Sequence, residues 1–158
     1  MRDTTLLFLV KKDNKSITDI CLAMKKRGFG MGRYNGVGGK VEPGEPIEDA
    51  VKREAKEEIG VVVQEATKVG ELTFIFPHEP TFDQVVHVYV TETWLGEIVE
   101  SEEMRGEWFK VADIPYQTMW SDDILWLPQV LLGKYVSGTV VFAPGDVTTH
   151  HEINVKEL

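Results

Sequence analysis

The stretch Gly39–Val61, GKVEPGEPIEDAVKREAKEEIGV, is the key to this chain. Pro46 suits the first turn of a helix, where its missing N–H is no loss, and Gly60 suits the residue just past a helix end. The spacing therefore predicts a helix from Pro46 to Ile59. Ile47, Val51, Ala55 and Ile59 recur every four residues and mark its core-facing stripe. Glu54, Glu57 and Glu58 stand at i, i+3 and i+4, so three carboxylates share one face. Like charges within one turn repel. Glu58 also falls at the edge of the apolar stripe, where a partly desolvated carboxylate needs a counter-charge. Arg53 answers part of this by pairing with Glu57 four residues on, and hard divalent cations such as Mg²⁺ answer more. A solvated Glu–Lys face, with Lys52 and Lys56 alongside, is the plainer alternative.

The residues before the helix favour the cation. Six glycines lie between Gly28 and Gly39, too many for a packed regular element, so this segment is expected to be a shaped loop. Charge is segregated across it. Lys25, Lys26, Arg27, Arg33 and Lys40 stand without an acid among them, and seven acids follow from Glu42 to Glu58 against three bases. A basic glycine loop running into a carboxylate helix is how a site for Mg²⁺ and a substrate phosphate is assembled.

Outside this region, strands are expected at Thr4–Val10, Ile17–Met24, Val61–Val63, Gly70–Phe76, Val85–Thr91 and Trp108–Val111. A helix is expected at Asp122–Leu132, interrupted by Pro128. A closing hairpin is expected from Thr139–Phe142 and His150–Val155 around Pro144-Gly145-Asp146. These elements make one α+β domain over residues 1–158, without repeats or linkers. A net charge of −9 argues against nucleic-acid polymers and anionic membranes as partners. No apolar run nears the roughly 20 residues of a membrane helix. The lone Cys21, read as a small core residue, fits a reducing cytoplasm, and an acidic monomer is the simplest expectation.

Gly39, Glu45, Arg53, Glu54, Glu57, Glu58 and Gly60, with Ala55 and Val61 in the apolar slots, resemble the Nudix box. The segments MKKRGFGMGRYNGVGGKVEPGE, VESEEMRGEWF and MWSDDILWLP resemble the oxidised purine nucleoside triphosphate hydrolases, the 8-oxo-dGTP diphosphatases of nucleotide-pool sanitation. The resemblance implies the Nudix fold, a mixed β-sheet sandwiched between helices. It implies hydrolysis of a nucleoside triphosphate to monophosphate and pyrophosphate with Mg²⁺, for which Mn²⁺ is a possible substitute. Glu54, Glu57 and Glu58 would hold the metal with the Gly38 carbonyl, and Glu103 would be a further acid nearby. Arg53 would orient the carboxylates, Glu58 or a neighbour would activate water, and Lys25 would lie near the nucleotide.

The same resemblance implies a base pocket in which Asn35, Asp122 and Asp123 read the purine. Trp120 would stack on the ring, and Phe29, Phe74 and Trp126 would line the walls. Adjacent carboxylates in an apolar pocket do not both ionise easily, so one keeps its proton and the pair offers a donor and an acceptor. Helix capping is the ordinary role of such acids, and a plain core role is the ordinary one for tryptophan. His87 is expected to be structural, and His150 and His151 to lie on the hairpin surface. Two departures from the family fall near the expected base: Tyr34 where Trp is usual, and a segment PHEPTFDQVVHVYV that is one residue longer. They leave open other modified substrates, such as alkylated purine triphosphates or nucleoside diphosphate derivatives. A sensor that binds without hydrolysis is an alternative of another class, but such relatives lose box glutamates and this box is complete.

Overall fold

A computed structural model describes residues 1–158. Eight strands form one mixed sheet: β1 (Arg2–Asp13), β2 (Ser16–Lys25), β3 (Tyr34–Asn35), β4 (Val62–Ile75), β5 (Gln84–Leu95), β6 (Met104–Lys110), β7 (Lys134–Ala143) and β8 (Val147–Glu157). Their order is β3-β2-β1-β5-β4-β7-β8, with β6 on β2. The pairs β1–β5 and β4–β7 are parallel and the others antiparallel. Helix α1 (Ile47–Ile59) and helix α2 (Asp123–Leu131) cover opposite faces.

Strand alternation produces the two cores. On one side Leu7, Leu9 and Tyr89 meet Val51, Ala55 and Ile59 of α1. On the other, Leu6, Phe8 and Val88 meet Trp126, Leu127 and Val130 of α2. Neighbouring β1 residues therefore serve opposite faces. This is the expected sheet between helices.

Helix α1 begins after Pro46 and ends at Gly60, whose φ of 76° is left-handed. Other boundaries move. The expected Val61–Val63 and Gly70–Phe76 strands are one strand, β4, whose register slips between Val63 and Glu65, Glu65 and Thr67, and Lys68 and Gly70. Those irregularities let a polar, mostly exposed middle stay in the ladder, which apolar periodicity does not register. β6 starts four residues before the expected Trp108, because β2 supplies pairing partners from Asp19 to Lys25. The glycine segment is largely irregular, yet Asn35 and Tyr34 pair with Ala23 and Met24 as β3. The closing hairpin extends over Lys134–Ala143 and Val147–Glu157. Cys21 is buried, and His150 and His151 are exposed on the hairpin. His87 is a buried link between strands: Nε2 donates to Asp3 at 2.9 Å, and Nδ1 accepts from the Lys68 ammonium at 2.9 Å.

Candidate active site

Helix α1 presents its carboxylates as its spacing requires. Arg53 is the hub beneath them. Its Nε and Nη2 donate to the two oxygens of Glu45 at 2.8 and 2.9 Å, and its Nη1 to Glu54 at 2.8 Å and Glu57 at 3.3 Å. A further bond from Nη2 reaches the Lys40 carbonyl at 3.0 Å and ties the helix to the loop. The expected i+4 pair with Glu57 is thus the longest of these carboxylate bonds. Only a planar fork spans so many acceptors at once. The Arg53 hydrogen bonds pull the Glu45 carboxyl down to about 2, well under the usual carboxylate range.

Glu58 is 3 % exposed and accepts the Gly38 N–H at 2.7 Å. Burial pushes its carboxyl up to about 8; that one bond opposes the shift, while the negative charges of Glu54 and Glu103 add to it. Lys25 lies close enough to stabilise the charged form of Glu58. Glu54 is likewise raised, first by burial, against the pull of Arg53. Glu103 is the residue just before β6, next to the end of β2. Its carbonyl accepts the Lys26 N–H at 2.7 Å, and its carboxylate lies 3.6 Å from Arg27. Lys26 pairs with Glu100, and Arg27 also lies 3.5 Å from Glu102, so ion pairs clasp this acidic segment to the end of β2.

No three of these acids stand together as a finished cation cage, since Arg53 holds Glu54 and Glu57. The donor set is nonetheless all oxygen and over-rich in negative charge, which fits a hard divalent cation. Gly38 and Gly39 bring the loop against it. A Cβ at Gly39 would stand 2.7 Å from Glu54 Oε1, so the backbone there approaches the carboxylate as only glycine permits.

Beside the carboxylate helix a cavity of about 350 Å³ opens between the sheet and α2. Its lining includes every residue expected there: Lys25, Phe29, Asn35, Phe74, Trp120, Asp122, Asp123 and Trp126. Phe29 packs against Trp120 with ring centres 5.0 Å apart. The Arg33 guanidinium lies over the Trp120 ring at 4.4 Å, and Arg33 donates to Asp146 at 2.8 Å. The β7–β8 turn is thereby latched to the glycine loop.

The capping role of the acids is not what the structure shows. Asp122 occupies the N-cap position of α2 without a side-chain cap bond. Both acids are buried, at 1 % and 2 % exposure. Trp126 Nε1 donates to Asp122 Oδ2 at 2.7 Å, whereas Asp122 Oδ1 and Asp123 Oδ2 have no partner. Burial raises both carboxyls, and the Asp122 charge raises Asp123 further. The indole bond favours charge on Asp122, so the shared proton resides on Asp123. An aromatic cavity thus holds one carboxylate and one carboxylic acid with unmet hydrogen-bonding capacity. Trp126 is both core and wall, being fully buried against Phe8 at 6.2 Å.

Some lining residues escape sequence reasoning. Arg2, Phe76, Phe82 and Gln84 also face the cavity. They arrive through strand pairing and through a single turn at Pro80–Phe82 within the longer segment, which carries no local motif. Tyr34 does not itself line the cavity; it packs edge-on against Phe109 at 5.2 Å, in the same core cluster as the cavity wall Trp126.

The family model of the NUDIX domain matches residues 2–130. The chain belongs to the Nudix family. Two curated relatives are named oxidized purine nucleoside triphosphate hydrolase. The Danio rerio protein is 44% identical over 138 residues, covering 87% of this chain and 88% of that one. The Mus musculus protein is 42% identical over 134 residues, covering 85% of each. Among solved structures, a MutT protein of Bacillus halodurans superposes with a TM-score of 0.84 over 98% of both chains at 23% identity, a likeness of fold. Nudix hydrolases work with a divalent cation, in keeping with the oxygen-rich donor set of α1.

Proposed function

We propose that this Nudix protein hydrolyses oxidised purine nucleoside triphosphates, of the 8-oxo-dGTP and 2-hydroxy-dATP type, to the monophosphate and pyrophosphate. The observation that carries this reading is the buried Asp122–Asp123 pair, whose free donor and acceptor lie in an aromatic cavity beside the carboxylate helix. The names of the two close relatives support it. A charged acid and a protonated one together match a purine edge carrying both a donor and an acceptor, and moving the proton serves a second tautomer. Asn35 adds a further polar group, and Trp120 and Phe29, packed on each other, give the ring an aromatic wall.

At the other end Glu54, Glu57, Glu58 and Glu103, with the Gly38 carbonyl, are the residues that would hold Mg²⁺ or Mn²⁺. When bound, such a cation neutralises charge on phosphoryl oxygens as water attacks phosphorus and the P–O bond to pyrophosphate breaks. Arg53 keeps the helix carboxylates in place, and Lys25 attracts the polyphosphate. Glu58, or an acid beside it, takes the proton of the attacking water. The protein acts as a single-domain monomer in the cytoplasm on a small molecule, and no helix is long and apolar enough to cross a membrane.

Pyrophosphate release with Mg²⁺ tests this. Turnover of 8-oxo-dGTP is expected to exceed that of dGTP at least tenfold, and equal or absent turnover overturns the proposal. Glu57→Gln or Glu58→Gln is expected to abolish turnover in a folded protein; retained activity refutes the metal assignment. A second reading, a preference for alkylated or otherwise modified purines, is favoured by the longer segment that brings Phe82 into the cavity. A panel of modified triphosphates separates the two.

A further inference from the structure

The cavity has a polar floor that neither the acid pair nor the carboxylate helix accounts for. Arg2 and Gln84 are cross-strand partners on β1 and β5, and both line the cavity. Gln84 is 9 % exposed, and its carboxamide has one orientation. Its Oε1 accepts from Thr4 Oγ1 at 3.0 Å, and its Nε2 donates to the Phe82 carbonyl at 2.9 Å. Turned over, the amide would face one carbonyl with another. A carboxamide has two N–H donors and two acceptor lone pairs, so one of each is left after these bonds. Beside it, the Arg2 Nε is buried without a hydrogen-bond partner. Polar groups are costly on the floor of a cavity walled by Phe29, Phe74, Phe82 and Trp120 unless a ligand meets them.

We propose that Gln84, with Arg2 beside it, is a second base-reading element that recognises the imidazole edge of an 8-oxopurine; this rests on the functional reading above. The oxidised ring carries an N–H at N7 next to a carbonyl at C8. An unmodified purine has a bare acceptor at N7 and a C–H at C8. The free acceptor of Gln84 takes the N7 hydrogen. Its free N–H, together with the Arg2 guanidinium, donates to the C8 oxygen. With an unmodified purine the first contact becomes two acceptors face to face, and the second loses its acceptor. Selectivity thus comes from repulsion of the wrong base as well as attraction of the right one. The acid pair and Asn35 are left for the opposite edge.

The test compares wild type with Gln84→Met, which keeps the volume and removes the amide, on 8-oxo-dGTP and dGTP under identical conditions. The ratio of kcat/KM values for the two substrates is expected to fall about tenfold, mainly through KM for 8-oxo-dGTP. A Gln84 that merely steadies Phe82 predicts equal losses on both substrates, and that result overturns the proposal, as does an unchanged ratio. Arg2→Met is the companion variant should Gln84→Met fail to fold. It lies at the start of β1 and is expected to lower the ratio about threefold, and an unchanged ratio in it again refutes the assignment. Wild type that treats both substrates alike overturns the functional reading instead, so the two failures are distinct.

Discussion

Replacing Gly38 by alanine tests how the loop serves the carboxylate helix. A Cβ at this position would lie 1.8 Å from the Thr5 carbonyl oxygen, about 1.6 Å short of the 3.4 Å of ordinary contact. That oxygen belongs to β1 and has no room to retreat, so the loop must move. The segment is held by four bonds to β1: Leu7 N–H to the Val37 carbonyl at 2.7 Å, Val37 N–H to the Leu7 carbonyl at 2.9 Å, Thr5 N–H to the Gly39 carbonyl at 2.9 Å, and Val41 N–H to the Asp3 carbonyl at 3.0 Å. A shift of that size breaks at least the Thr5–Gly39 bond and the 2.7 Å bond from Gly38 N–H to Glu58. A neutral bond contributes about 1 kcal/mol and one to a charged or buried carboxyl about 2, so the expected destabilisation is about 3 kcal/mol. For a chain of this size that lowers Tm by about 6–12 °C. Turnover is expected to fall about 100-fold, since displacing the loop by more than an ångström misplaces the carboxylate it orients. Thermal melting by circular dichroism and pyrophosphate release read the two effects separately. Gly39→Ala is the contrast. The atoms nearest its Cβ all belong to the Glu54 carboxylate, at 2.7–2.9 Å, so it is expected to cost activity with a Tm loss below about 4 °C. A Gly38→Ala protein that melts within about 2 °C of wild type and keeps its turnover refutes the steric argument.

Arg53→Lys retains the charge but not the fork that spans Glu45, Glu54 and Glu57. Steady-state kinetics are expected to show kcat down about 10- to 100-fold with little change in KM, and a KM effect alone contradicts the hub role. Both acids of the Asp122–Asp123 pair titrate above the ordinary aspartate value in the fold, so protons favour the folded form. Their contribution to stability is complete below about pH 4 and is lost as pH rises through the raised values. Melting curves from pH 5 to 8 are expected to show wild type losing Tm relative to Asp123→Asn as pH increases, and parallel curves refute the assignment. Base selection is expected to weaken over the same range, because it needs the proton on Asp123. Arg33→Met removes the bond to Asp146 and the cation over Trp120. KM for 8-oxo-dGTP is expected to rise about threefold to tenfold with kcat kept, and an unchanged KM would contradict a role in seating Trp120.

The carboxylate helix was legible because everything that defines it is local. Pro46, Gly60, the four-residue apolar repeat and the i, i+3, i+4 glutamates all act within one helix. Glu58 at the edge of the stripe already implied a buried carboxylate, and it is buried. β4 was less legible, since its exposed middle offers no apolar alternation and is held in place by its neighbours.

Taken alone, the sequence determined the α1 face and the glycine loop in front of it, for these rest on local spacing and side-chain chemistry, whereas the purine-pocket residues followed only from the resemblance to a family. Tertiary structure decided what the acids of α2 do. The same Asp-Asp sequence serves as a cap when solvated and becomes a proton-sharing pair when buried against Trp126, and only burial distinguishes the two. It also decided that Arg2 and Gln84, more than eighty positions apart, lie side by side on the cavity floor. Parallel pairing of β1 with β5 puts them there, and no local signal in a chain encodes which strands will become neighbours.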